Sequence, residues 1–144
     1  MFRSIRRFFT LSLLLSLLFT MAAFAADARA NAAFDRVNII RTQNGLSPLS
    51  WNGQIESAAS VRAQELVRSF SHTRPDGSAW YTADSSVLYG ENLAEYYGTV
   101  EEVVDAWMAS PEHKANILKA DFKSGAISVF EQNGKLYWAE EFGY

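Results

Sequence analysis

No cysteine occurs anywhere in this 144-residue chain, and that absence limits what it can fold into more than any other feature. The N-terminus reads as an export leader. Arg3, Arg6 and Arg7 supply a positive start, residues 8–24 run without a charge and are rich in Leu and Phe, and Ala23-Phe24-Ala25 offers the small residues a signal peptidase reads. Ala28-Arg29-Ala30 is a second such site. An uncleaved anchor is the alternative, since the apolar run is nearly long enough to span a bilayer. Small exported domains commonly lean on disulfides, so this one must be held by packing alone. Trp51, Trp80, Trp107 and Trp138 all lie behind the leader and supply bulk for a core. The expectation is a signal peptide over residues 1–25 and a single domain over 31–144, secreted and with no stable membrane insertion after cleavage.

Charge narrows the partners. The formal net charge is −3, and removing a leader with three Arg and no acid takes it to −6. No Lys/Arg cluster follows the leader, so nucleic acid and anionic membrane surfaces are poor partners. A monomer is expected.

The element order follows from periodicity. Phe34, Val37, Ile40 and Arg41 repeat at helical spacing over 30–44, with Asn44-Gly45 as the stop. Leu46 to Trp51 reads as a short connection. Asn52 caps a second helix to about Ser69, on which Ile55, Ala58, Ala59, Arg62, Ala63 and Leu66 share a face. Residues 71–89 look irregular, with a turn at Arg74-Pro75-Asp76-Gly77-Ser78. Gly90 to Tyr97 fits a short strand carrying Glu91, Leu93 and Glu95 on one face. Thr99 and Glu102 form a capping box for a helix to about Ala109, and Ser110-Pro111 opens another to about Leu118. Residues 124–130 and 135–142 are β-rich and flank Asn133-Gly134, a strong hairpin signal. Helices first and a hairpin last suggest an α+β fold with an antiparallel sheet covered by helices.

Chemistry must be assembled from distant segments. H-E-x-x-H, G-x-S-x-G, Gly-rich phosphate loops and EF-hand patterns are all missing. Two histidines remain. His72 follows the second helix, where a solvated loop histidine is the plain reading. His113 falls in the first turn of a helix, whose positive end disfavours imidazolium and keeps the ring neutral, as a metal ligand requires. Glu91, directly after Gly90, fits a solvated edge residue as well as a ligand.

The segments Ser71-His72-Thr73-Arg74-Pro75-Asp76-Gly77, Gly90-Glu91-Asn92-Leu93-Ala94 and Ala106-Trp107 through Asn116-Ile117-Leu118 resemble the blocks of the CAP superfamily. This is the group of cysteine-rich secretory, antigen 5 and pathogenesis-related proteins. The opening Arg41-Thr42-Gln43-Asn44-Gly45-Leu46 and the closing Tyr137-Trp138-Ala139-Glu140-Glu141-Phe142-Gly143 are similar to its bacterial, cysteine-free branch. The resemblance implies an α-β-α sandwich on a three-stranded antiparallel sheet, with an open cleft where two histidines and two acids converge. His72, Glu91 and His113 match three of those positions. Ser110 stands at the fourth, leaving Glu112, Glu140 and Glu141 as the candidate acids to replace it.

Two imidazoles and a carboxylate make a zinc shell with an open position, so a divalent metal, zinc first, is the expected cofactor. Two function classes follow. One is a secreted binding module whose cleft takes an amphipathic ligand, lipid or cell-envelope, with or without a cation. The other is a metal-dependent hydrolase acting on peptides or cell wall, with Glu91 as a base or Ser71 as a nucleophile. The absence of a visible activated nucleophile favours the first.

Overall fold

The computed structural model describes residues 28–144. The expected leader, including the first cleavage motif, lies outside the described residues. Helix α1 covers 28–43 and buries Ala30, Ala33, Phe34 and Val37. Arg41 sits on the same apolar stripe and is 1 % exposed. Its guanidinium donates to the carbonyls of Ser47, Ile117, Lys119 and Phe122 at 2.7–3.2 Å, stitching α1 to the loop that follows it and to the distant α4–β3 connection.

Strand β1 is the two-residue Ser50–Trp51, followed by α2 over Gly53–Glu65. As the capping rule predicts, the Asn52 side chain accepts from the amides of Gln54 and Ile55. Regular helix ends at Glu65, earlier than periodicity suggests, and the chain continues to Ser69 in hydrogen-bonded turns. A 3-10 turn at Trp80–Ala83 interrupts the irregular stretch. Then come β2 (Gly90–Glu95), α3 (Val100–Ala109), α4 (Pro111–Ile117), β3 (Ser124–Gln132) and β4 (Lys135–Gly143). Strand β2 stops two residues short of the expected Tyr97 because Tyr96 turns to a left-handed φ of 70°. The Thr99–Glu102 capping box forms in full, whereas Ser110 holds the cap position of α4 without a side-chain hydrogen bond.

The sheet order is β1-β3-β4-β2. The three long strands pair antiparallel, as expected, and β1 adds a fourth, parallel to β3. The three-stranded expectation is therefore corrected by one short edge strand. Asn38 explains it: its amide side chain brackets Leu49 through both backbone groups, at 2.7 and 3.0 Å, and lays Ser50 and Trp51 beside β3.

Alternation along the strands divides the molecule into three layers. Glu91, Leu93, Tyr137, Ala139 and Glu141 face α2, where Ala63 and Leu66 pack on Leu93, Tyr137 and Ala139. On the opposite face Ala94, Trp138 and Phe142 join α1, α3 and α4 in the larger core around Trp107, Ile117 and Phe122. Gly90 lets β2 pass close to that core, since a Cβ there would lie 2.8 Å from the Phe122 ring. This is an α-β-α sandwich.

Candidate functional site

Strand β2 ends the sheet, and its outer edge would ordinarily invite pairing. Two side chains cover it from the helical layer. Trp107 Nε1 donates to the Leu93 carbonyl at 3.2 Å and Asn116 donates to the Glu91 carbonyl at 3.2 Å. Beside this covered edge lies a cleft of about 320 Å³. Leu93, Ala94, Ala106 and Trp107 form its apolar floor, Phe70 and Tyr97 stand at its rim, and Ser110 and His113 line the α4 side. A larger depression of about 720 Å³ over the outer surface of α2, between Val61, Pro75 and Phe130, contains neither histidine.

His72 does not line this cleft. Its Nδ1 lies 2.8 Å from Glu91 Oε1. Glu91 is itself clamped from below by Arg62, with Nε to Oε2 at 2.7 Å and Nη2 to Oε1 at 3.3 Å. Arg62 is fully buried. It also donates to Glu65 at 2.7 Å and to the Ser71 carbonyl at 2.7 Å, and Arg74 grips Glu65 in turn at 2.7 Å. The His72 loop is thus anchored to α2 by a ladder of two guanidinium groups and two carboxylates. A buried cation fully used in this way fixes geometry.

These contacts set the charge states. Burial alone would raise the Glu91 carboxyl, but hydrogen bonds from His72 and Arg62 outweigh it and hold it below the usual carboxylate range. The bond to Glu91 raises His72 against the opposing effect of burial. His113 is lowered, first by burial and then by the charge on His72, which places the two rings within electrostatic reach. The expectation of a neutral His113 holds, with burial leading where the helix end was expected to lead. Ser71 Oγ accepts from the Thr73 amide at 3.0 Å, and the neighbouring imidazole is engaged with Glu91.

His72, Glu91 and His113 therefore come to one region, but not as three equal ligands. Among the described residues no three His, Asp or Glu side chains gather as one ion would require. Both Glu91 oxygens are occupied by Arg62 and His72. The residues do not fit a three-ligand zinc shell, and Glu91 takes the orienting role that carboxylates play behind imidazoles. With Nδ1 given to Glu91, the free position on His72 is Nε2.

Sequence reasoning missed Arg62, Glu65 and Arg74. The signal was available: Arg62 falls on the apolar stripe of α2, and a guanidinium at a core position needs buried acids.

Glu140 and Glu141 lie under the site. Glu141 pairs with Glu91 across β2 and β4 on the α2 face, and Glu140 pairs with Asn92 on the other. Both are at most 1 % exposed. Burial pushes Glu140 up to about 8 against the pull of Asn92 and Arg41. Burial and the adjacent Glu91 charge push Glu141 well up.

Comparison with known proteins places the fold. The uncharacterised protein YkwD of Bacillus subtilis is 31 % identical over 130 residues, which are 85 % of this chain and 50 % of YkwD, so the chain spans about half that relative's length. An extracellular protein containing an SCP domain from Bacillus anthracis superposes with a TM-score of 0.74 at 22 % identity, over 82 % of this chain and 41 % of that one. An outer surface protein of Borrelia burgdorferi gives 0.70 at 22 % identity, over 78 % and 90 %. At such identities these two structures speak for the fold. The profile of the cysteine-rich secretory protein family matches residues 34–142. With three layers, a covered edge strand and that match, the chain belongs to the CAP, or cysteine-rich secretory protein, family.

Proposed function

We propose that the domain is an exported binding module whose cleft holds an amphipathic ligand of lipid or cell-envelope type. The observation that carries this reading is the cleft's split chemistry: an apolar floor of Leu93, Ala94 and Trp107, closed on one side by His113. Sites of this kind bury an apolar body and fix a polar end with a few groups. The test is calorimetric titration with sodium laurate below micelle formation. Saturable binding is expected, with a loss of roughly tenfold or more in Ala106→Trp, which fills the floor. Binding that Ala106→Trp leaves intact would place the ligand elsewhere.

A second reading keeps the metal. Glu91 leaves His72 Nε2 free and His113 is held neutral, so two imidazoles are available for one divalent ion. Zinc titration of the untagged protein should then show one site that either His72→Ala or His113→Ala removes, with little further loss in the double variant. Independent contributions from the two rings would contradict a shared ion. Among the described residues no activated nucleophile supports the hydrolase alternative.

Export rests on the leader and on likeness to extracellular and outer surface proteins. Among the described residues no helix is long and apolar enough to cross a membrane. Cleavage after Ala25 preserves α1, whereas cleavage after Ala30 would remove the Arg29–Glu131 ion pair at 3.1 Å and the buried Ala30. N-terminal sequencing of protein from the medium should read Ala26 first. A start at Asn31, or full-length chain found in membranes alone, would contradict it.

A further inference from the structure

The two acids of β4 sit back to back. Consecutive strand residues point to opposite faces, so Glu140 and Glu141 extend to opposite sides of the sheet. On the α2 face Glu141 lies against Glu91, which holds His72 Nδ1. On the other face Glu140 Oε2 accepts from Asn92 Nδ2 at 2.9 Å. The same Asn92 amide donates to the His113 carbonyl at 3.1 Å, and its Oδ1 accepts from Asn116 at 3.0 Å, tying α4 to β2. We propose that Glu140 and Glu141 are a two-sided pair of positioning residues, Glu141 acting through Glu91 on His72 and Glu140 acting through Asn92 on His113.

On the α2 face Arg62 and Arg74 face Glu65 and Glu91, and His72, whose ring can also carry a charge, spends its Nδ1 on Glu91, so each cation there already has a carboxylate partner. A third carboxylate there would be buried beside Glu91 without a counter-charge, which is strongly unfavourable. Neither Glu141 oxygen has a donor from another group. As a carboxylic acid, Glu141 can donate to Glu91 and occupy it from below, leaving the His72 bond as its contact on the cleft side. Glu140 is in a similar position. One oxygen is bonded by Asn92 and the other has no partner. The nearest buried cation, Arg41, spends its donors on four carbonyls. Neither acid lines the cleft. They do not take the vacant fourth acid position; each supports one histidine from beneath.

The proposal does not depend on which ligand the cleft takes, because the readout is the histidine rings themselves. The test is side-chain NMR of His72 and His113 in the ligand-free exported protein, comparing Glu140→Leu, Glu141→Leu, Glu140→Gln and Glu141→Gln with wild type. Glu141→Leu should shift the His72 ring signals and leave those of His113, and Glu140→Leu should do the reverse. The two Gln variants keep a neutral group that can hydrogen bond, and should restore the wild-type signals at both rings. A structural role for the pair would move both rings together in either Leu variant, which would overturn the proposal, as would the absence of any shift. If a Leu variant fails to fold, the Met variant at the same position, apolar and close to Glu in length, takes its place and is read by the same rule: a shift confined to the assigned ring upholds the assignment, and displacement of both rings or of neither contradicts it.

Discussion

Arg62 shows how far a single residue can carry the site. It sits where the helical stripe of α2 calls for an apolar side chain, and its burial draws Glu91, Glu65 and the Ser71 carbonyl around it. The histidines and Glu91 were legible because they fall in short blocks of family-like sequence. The network behind them was not, because its members are spread from 62 to 141 and only the β2–β4 register brings them together. Glu140 gives the clearest residue-scale prediction. Its carboxyl is raised from 4.5 to about 8, so the folded chain binds this proton more tightly than the unfolded chain does. The stability it contributes is full below about 4.5 and is lost as pH rises towards about 8. Glu140→Gln carries no such proton. Its thermal midpoint should gain on wild type as pH is raised across that window, by an amount worth up to roughly 5 kcal/mol. Parallel curves for the two proteins would show that Glu140 does not titrate there.

At the scale of elements, local signals did best where backbone geometry is decided within a few residues. The Asn52 cap, the Thr99–Glu102 box and the hairpin are all realised. Asn133 and Gly134 adopt φ of 53° and 72°, the left-handed pair that a type I′ turn demands. Gly134→Val forces a β-branched residue into that region and should cost on the order of 1 kcal/mol or more, read as a lower denaturant midpoint with an unchanged slope. An unaltered midpoint would mean the turn tolerates the strain. Strand β1 was not legible. Two residues show no periodicity, and their place beside β3 is set by the Asn38 side chain gripping Leu49, a contact between separate elements.

For the molecule as a whole, the missing disulfides are replaced by two cores on either side of one sheet and by buried guanidinium groups joining distant loops. Arg41 ties α1 to the α4–β3 connection, and Arg62 ties α2 to the His72 loop. The three layers converge at the outer edge of β2, where the cleft's apolar floor comes from β2 and α3 and its one lining imidazole, His113, comes from α4. That convergence is the basis for reading the domain as a binding module. Backbone and side-chain NMR of the ligand-free protein titrated with sodium laurate tests it most directly. Saturable shifts should appear at Leu93, Ala94, the Trp107 indole and the His113 ring, and should vanish in Ala106→Trp. Saturable shifts confined to the surface around Val61, Pro75 and Phe130, or no saturable shift at all, would contradict the account.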